Sequence, residues 1–109
     1  MSEKTVKNNG LSITVDKTGE SVKFTIQGCI DHANASALKY ELEEALSGGQ
    51  INIILDMLQV EYLCSSGVGV ILVAYKKAKS AGGKLIIEQA SEFVMNILSI
   101  TSLDKMLLK

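Results

Sequence analysis

Residues 51–57 read Ile51-Asn-Ile-Ile-Leu-Asp-Met57, a nearly unbroken run of β-branched or long apolar side chains. Such a run fits a strand covered on both faces of a sheet, where neither side meets water and strict alternation is not required. It is expected at the centre of the sheet. After a connection at 58–64, residues 66–80 carry Val68, Ile71, Leu72, Tyr75 and Ala78 at helical spacing. Lys76, Lys77 and Lys79 fall near the end of that segment, where cations suit the helix dipole, and Gly82-Gly83 stops it.

The same logic extends outward in both directions. Between Ala33 and Leu46, the apolar positions Ala35, Leu38, Leu42, Ala45 and Leu46 form one helical stripe, closed by Gly48-Gly49. Upstream, Leu11, Ile13 and Val15 alternate with polar residues, and Val22, Phe24 and Ile26 repeat the alternation after Asp16-Lys-Thr-Gly-Glu20, which predicts a hairpin. Downstream, Leu85-Ile-Ile-Glu88 reads as a strand, and Ser91 is placed to cap a helix that faces inward through Phe93, Val94, Ile97 and Leu98. Residues 106–109 read as a final short strand. The order β-β-α-β-α-β-α-(β) predicts an α/β fold: one domain over 11–109, with a mixed sheet of about four to five strands flanked by three or more helices. Residues 1–10 are expected to be a flexible lead-in.

The 109 residues suit a single core, and 47% hydrophobic against 21% charged residues excludes a disordered chain. Eleven basic and twelve acidic side chains leave a formal charge of −1, so no field favours nucleic acid or an anionic membrane, and no direct nucleic-acid partner is expected. The apolar stretches are too short to span a bilayer and the first residues lack a signal peptide's apolar segment, so membrane insertion is not expected and the cytoplasm is the expected compartment. Cys29 and Cys64, with a single histidine, match no zinc-site spacing and read as reduced thiols; no metal and no cofactor is called for.

Catalytic signatures are weak. Ser65-Ser-Gly-Val-Gly69 is neither a nucleophile elbow nor a phosphate loop. His32 is the only histidine, and a lone histidine after a strand is more often a surface or helix-start residue than a general base, so an Asp31-His32-Ser65 arrangement is a minor alternative. Position carries more than composition here. Asp31 and Ser65 each follow a strand, and partners tend to meet sheets of this kind beyond the carboxyl ends of strands, so the two loops are expected to share one surface. By general frequency, a serine in this place simply caps the helix.

Ile54-Leu-Asp-Met57 followed by Val60-Glu-Tyr-Leu-Cys-Ser-Ser-Gly-Val-Gly-Val-Ile-Leu72 resembles the signature of the STAS family of anti-sigma factor antagonists. Ile26-Gln-Gly-Cys-Ile-Asp31, Ala81-Gly-Gly-Lys-Leu-Ile-Ile87 and Ile100-Thr-Ser-Leu-Asp-Lys-Met106 resemble the family's other elements, in the same order. The resemblance implies a non-enzymatic, phosphate-switched binding module. In it a serine-kinase anti-sigma factor is the partner, Ser65 is the phosphorylated residue, and Asp31, His32, Cys64, Ser66, Gly67 and Val68 form the contact surface. Regulation of sigma-factor-dependent transcription follows from that role.

Two residues depart from the family pattern. Cys64 stands where the family typically has Asp before the acceptor, and Cys29 stands at an often acidic position. A second reading therefore remains: an unphosphorylated STAS docking module within a signalling or membrane-transport complex. An esterase-like use of Ser65 is a third, with no base to serve it. A regulatory Cys29–Cys64 bridge is conceivable if the loops abut. The expected solution state is a monomer or weak dimer.

Overall fold

The computed structural model describes residues 2–108. Five strands, β1 (Ser2–Asn8), β2 (Leu11–Thr18), β3 (Ser21–Ile30), β4 (Asn52–Leu63) and β5 (Lys84–Ala90), lie in the order of their numbers. The helices are α1 (Ala35–Ser47), α2 (Ser65–Ser80), α3 (Glu92–Ile100) and the single turn α4 (Asp104–Leu107). β1, β2 and β3 are antiparallel neighbours, whereas β3, β4 and β5 run parallel, so the sheet is mixed.

Register explains the alternation. Val15 lies opposite Phe24, Phe24 opposite Leu55, and Leu55 opposite Ile87, so one buried row crosses four strands. Ile13, Ile26, Val22, Ile53 and Leu85 are buried on the same face. Burying side chains of this size contributes roughly 1.5–3 kcal/mol each, enough to make a one-residue slip prohibitive, because a slip would turn the whole set outward. Successive parallel strands added in one direction place both crossover helices on that face. There α1 contributes Leu38, Leu42 and Ala45 to the core, and α2 contributes Ile71, Ala74 and Ala78, and the two helices pack side by side.

The structure differs from the sequence reading in four places. Residues 2–8 are not a free lead-in but the edge strand β1, in full register with β2. The strand, Ser2–Asn8, is almost wholly polar and carries no hydrophobic alternation. It is held by its backbone ladder, by the Thr5–Thr14 hydroxyl pair at 3.2 Å, and by Lys4, whose ammonium sits 2.9 Å from the nearly buried carboxylate of Glu41 on α1. Second, β4 runs on through the expected connection to Leu63, because its later half pairs with β3. Third, β4 is not covered equally on both faces: Ile53, Leu55 and Met57 are buried, while Ile54 and Asp56 are only half-buried. Fourth, residues 104–107 form α4 instead of a strand, and only Leu108 makes a parallel bridge, to Ile87. Met1 and Lys109 lie outside the described residues.

Candidate functional site

β3 and β4 end together. Ile30 pairs with Leu63, and the amide of Cys64 donates to the carbonyl of Ile30 at 3.0 Å, so Asp31 and Cys64 leave the sheet side by side. The chain turns into α2 after this one residue, with Cys64 as N-cap in an extended conformation (φ −85, ψ 171). Gly67 makes the turn possible. A Cβ on it would lie 2.7 Å from Ile30 Cγ2 and 2.7 Å from Leu63 Cδ1, so only glycine lets the first turn of α2 rest on these strand ends.

The expected meeting of the two loops is observed. His32 Nδ1 and Ser66 Oγ are 2.7 Å apart, bridging the start of the β3–α1 loop and the start of α2. Ser65 is exposed, and among the described residues its hydroxyl has no hydrogen-bond partner. It stands at the edge of a surface groove of about 230 Å³, formed with Leu63, Val68 and, from α3 and its end, Ile97 and Thr101. No side chain caps α2 and no acidic residue lies in its first turn. The first amides of the helix therefore have neither an intrahelical acceptor nor a capping one, and they leave a positive end beside Ser65.

Asp31 is half-buried and partly spent on its own loop: its Oδ1 accepts from the amides of Ala33 at 2.9 Å and Asn34 at 3.1 Å. Cys64 and Gly67 are buried, so they shape the surface from beneath, while Val68 is half-buried at the groove. Both cysteines are free thiols. Cys29 pairs with Tyr62, two residues short of Cys64. With strands about 4.8 Å apart and roughly 3.3 Å per residue, the offset separates the two Cα atoms by about 8 Å. That exceeds the roughly 4.4–6.8 Å of a disulfide, so a bridge would need backbone movement. No group of three or more potential metal ligands occurs among the described residues, and no helix among them is long and apolar enough to cross a membrane.

Sequence reasoning missed Asn34. Its side chain is fully buried, which is tolerable only because its polar atoms are bonded. Oδ1 accepts from the amide of Asp31 at 2.8 Å, and Nδ2 donates to the carbonyls of Cys29 at 2.9 Å and Asn9 at 3.1 Å. One amide thus ties the β1–β2 turn, the end of β3 and the Asp31–His32 loop together. Its position just ahead of a helix was the available signal, but it pointed to ordinary capping. The groove residues Ile97 and Thr101 were also missed, since nothing in the order of elements brings the end of α3 to the start of α2.

A mixed sheet with two crossover helices on one face, and a hydroxyl pair opening the second of them beside an aspartate loop, defines one class of α/β module. The STAS domain family model matches residues 12–109. The anti-sigma-B factor antagonist of Bacillus subtilis is 31% identical over 94 residues, covering 85% of this chain and 84% of the relative. The anti-sigma F factor antagonist of Paenibacillus polymyxa is 28% identical over 83 residues, covering 75% and 71%. Among solved structures, the anti-sigma factor antagonist SpoIIAA in its unphosphorylated form superposes with a TM-score of 0.79 at 19% identity, over 89% of this chain and 85% of that one. Its phosphorylated form, described as a Bacillus cell fate determinant, gives 0.74 at 20% identity, over 89% and 88%. This chain belongs to the STAS domain family of anti-sigma factor antagonists, and members of that class interact with anti-sigma factors.

Proposed function

We propose that this chain binds an anti-sigma factor with serine-kinase activity and releases it when Ser65 is phosphorylated, thereby regulating transcription by a sigma factor. The observation that carries this reading is the exposed, unbonded Ser65 hydroxyl on the uncapped start of α2, at the rim of a partly apolar groove. The contact surface comprises Asp31, His32, Ser66 and Val68, with Cys64 and Gly67 beneath. The solution of SpoIIAA in both unphosphorylated and phosphorylated forms supports a switch of this type.

The physics allows control without a change of fold. A phosphoserine adds about −1.5 to −2 charge and three strong acceptors. Beside the free amides of α2 it is favoured by roughly 0.3–1 kcal/mol, so the domain tolerates it. The partner does not, because a dianion pressed against a surface shaped for a neutral serine is desolvated without a counter-charge. A loss of about 3 kcal/mol weakens binding more than a hundredfold.

Intact-mass measurement after incubation with ATP and the purified anti-sigma factor kinase of the same genome tests the reading. One added phosphate is expected on the wild type and none on Ser65→Ala, which still binds; Ser65→Asp folds normally and binds at least a hundredfold more weakly. Equal phosphorylation of Ser65→Ala, or undiminished binding by Ser65→Asp, replaces the switch with a static dock.

A further inference from the structure

The other glycine of α2's first turns, Gly69, is not needed by the fold. It is exposed, and a Cβ built on it meets nothing within 4 Å, in contrast to Gly67. A glycine inside a helix destabilises it by roughly 1 kcal/mol relative to alanine, and here no packing contact offsets that loss. What Gly69 does provide is bare backbone on the wall of a second groove, of about 380 Å³, between α1 and α2. Val70 and the half-exposed Val73 supply its apolar surface, and Lys39, Glu43 and Lys77 its charges. The groove starts at Ser66, the residue bonded to His32, and reaches Lys77, about 16 Å along α2 at 1.5 Å per residue, or three helical turns.

Charge selects the occupant. Lys77 is paired with Glu43 at 3.2 Å, whereas Lys39 enters no ion pair among the described residues, so the groove carries a net positive charge over an apolar floor. We propose that this groove docks an acidic amphipathic helix of the anti-sigma factor, seated with a small residue over Gly69, apolar side chains on Val70 and Val73, and a carboxylate at Lys39. The assignment rests on the partner reading above and adds a second contact to it. A helix laid in a groove engages through residues three and four apart, and a glycine at the closest approach lets the two backbones come together. On this chain Val70 and Val73 are three apart and Gly69 and Val73 four apart, so the three residues line the groove along one stretch of α2.

Titration calorimetry of the purified anti-sigma factor kinase against wild type, Gly69→Ala, Val73→Glu, Lys39→Glu and Ser65→Asp tests the groove, with thermal melts run alongside. Gly69→Ala is expected to raise the melting temperature by a few degrees while weakening binding about tenfold or more, a divergence that a purely structural role would not produce. Val73→Glu and Lys39→Glu are expected to weaken binding by a similar factor without unfolding the domain. Wild-type affinity in all three groove variants, with loss in Ser65→Asp alone, overturns the groove and leaves the partner reading intact. Failure of the wild type to bind overturns the partner reading and the groove with it. A concentration-dependent dimer in sedimentation that Val73→Glu abolishes also overturns the assignment, since the occupant would then be a second copy of this chain.

Discussion

α3 begins on Ser91, whose hydroxyl oxygen accepts from the amide of Val94 at 3.2 Å, and Glu92 adds a negative charge in the first turn. α2 begins on Cys64, which caps nothing, and no acid follows it. Both helices leave a parallel strand of the same sheet, so the contrast is local chemistry and not architecture. α3 is finished by its own residues. α2 is held in place from below, by the fit of Gly67 on Ile30 and Leu63, and its amides are left for something else to satisfy. The difference separates a helix start satisfied by its own residues from one whose first amides have no side-chain acceptor.

The largest way to break this contrast is Gly67→Ala. The added Cβ pushes α2 off the strand ends; overpacking of this kind costs roughly 1–3 kcal/mol, only partly offset by better helix propensity. A drop of several degrees in melting temperature is expected, together with disturbance of the His32–Ser66 contact in side-chain NMR. If Gly67→Ala is instead as stable as the wild type, α2 is not held by that close approach.

Next in size are the two caps. Ser91→Ala removes a working cap and should cost about 1 kcal/mol in denaturant titration. Cys64→Asp should supply a missing one and gain roughly 0.5–1 kcal/mol, provided the buried position lets the carboxylate reach the amides. It should also lower the phosphate's benefit to α2, because the amides are then already occupied. Equal and opposite effects from the two variants would confirm that one start is satisfied and the other is not; no gain from Cys64→Asp would show that burial outweighs capping there.

The smallest expected effect is a control far from both starts. Glu41 holds the Lys4 ammonium through a hydrogen bond and raises its pKa above the ordinary 10.5, while Lys4 itself stays half exposed. A raised folded-state value means stability that is present below 10.5 and is lost as pH rises through the folded value. A shallow fall in melting temperature above that pH is expected in the wild type and should be absent in Lys4→Met. The cap variants should leave it unchanged.

How much of this was legible in the sequence follows from what each residue does. The hairpin, the first half of β4, α1, α2 and the Ser91 cap announced themselves because their signals are local: alternation, an apolar run, helical spacing, a serine before an apolar run. β1 did not, since an edge strand draws on its neighbour's backbone and on an ion pair with α1, neither of which leaves a hydrophobic pattern. At the site, Ser65, Asp31 and their shared end of the sheet could be read from strand ends and from the family resemblance. Asn34 could not, because its importance lies in three partners distributed over three segments, and a buried amide looks the same in sequence as an exposed one.

The bridge between Leu108 and Ile87 bears on solubility during folding. A sheet with five strands in chain order has two outer edges, and an open edge is a template on which a second molecule can polymerise. β1 presents Glu3, Lys4 and Lys7 along its edge, charges that discourage such growth. β5 has the opposite character: Leu85-Ile-Ile87 is a short β-prone hydrophobic tract of the kind that nucleates cross-β association. Leu108 occupies that border at Ile87, with Lys84 and Glu88 on either side as gatekeepers. The segment from α4 to Leu108 therefore serves as a cover over an aggregation-prone edge strand, and β5 stays open on that side until this segment, which follows it in the chain, folds back onto it.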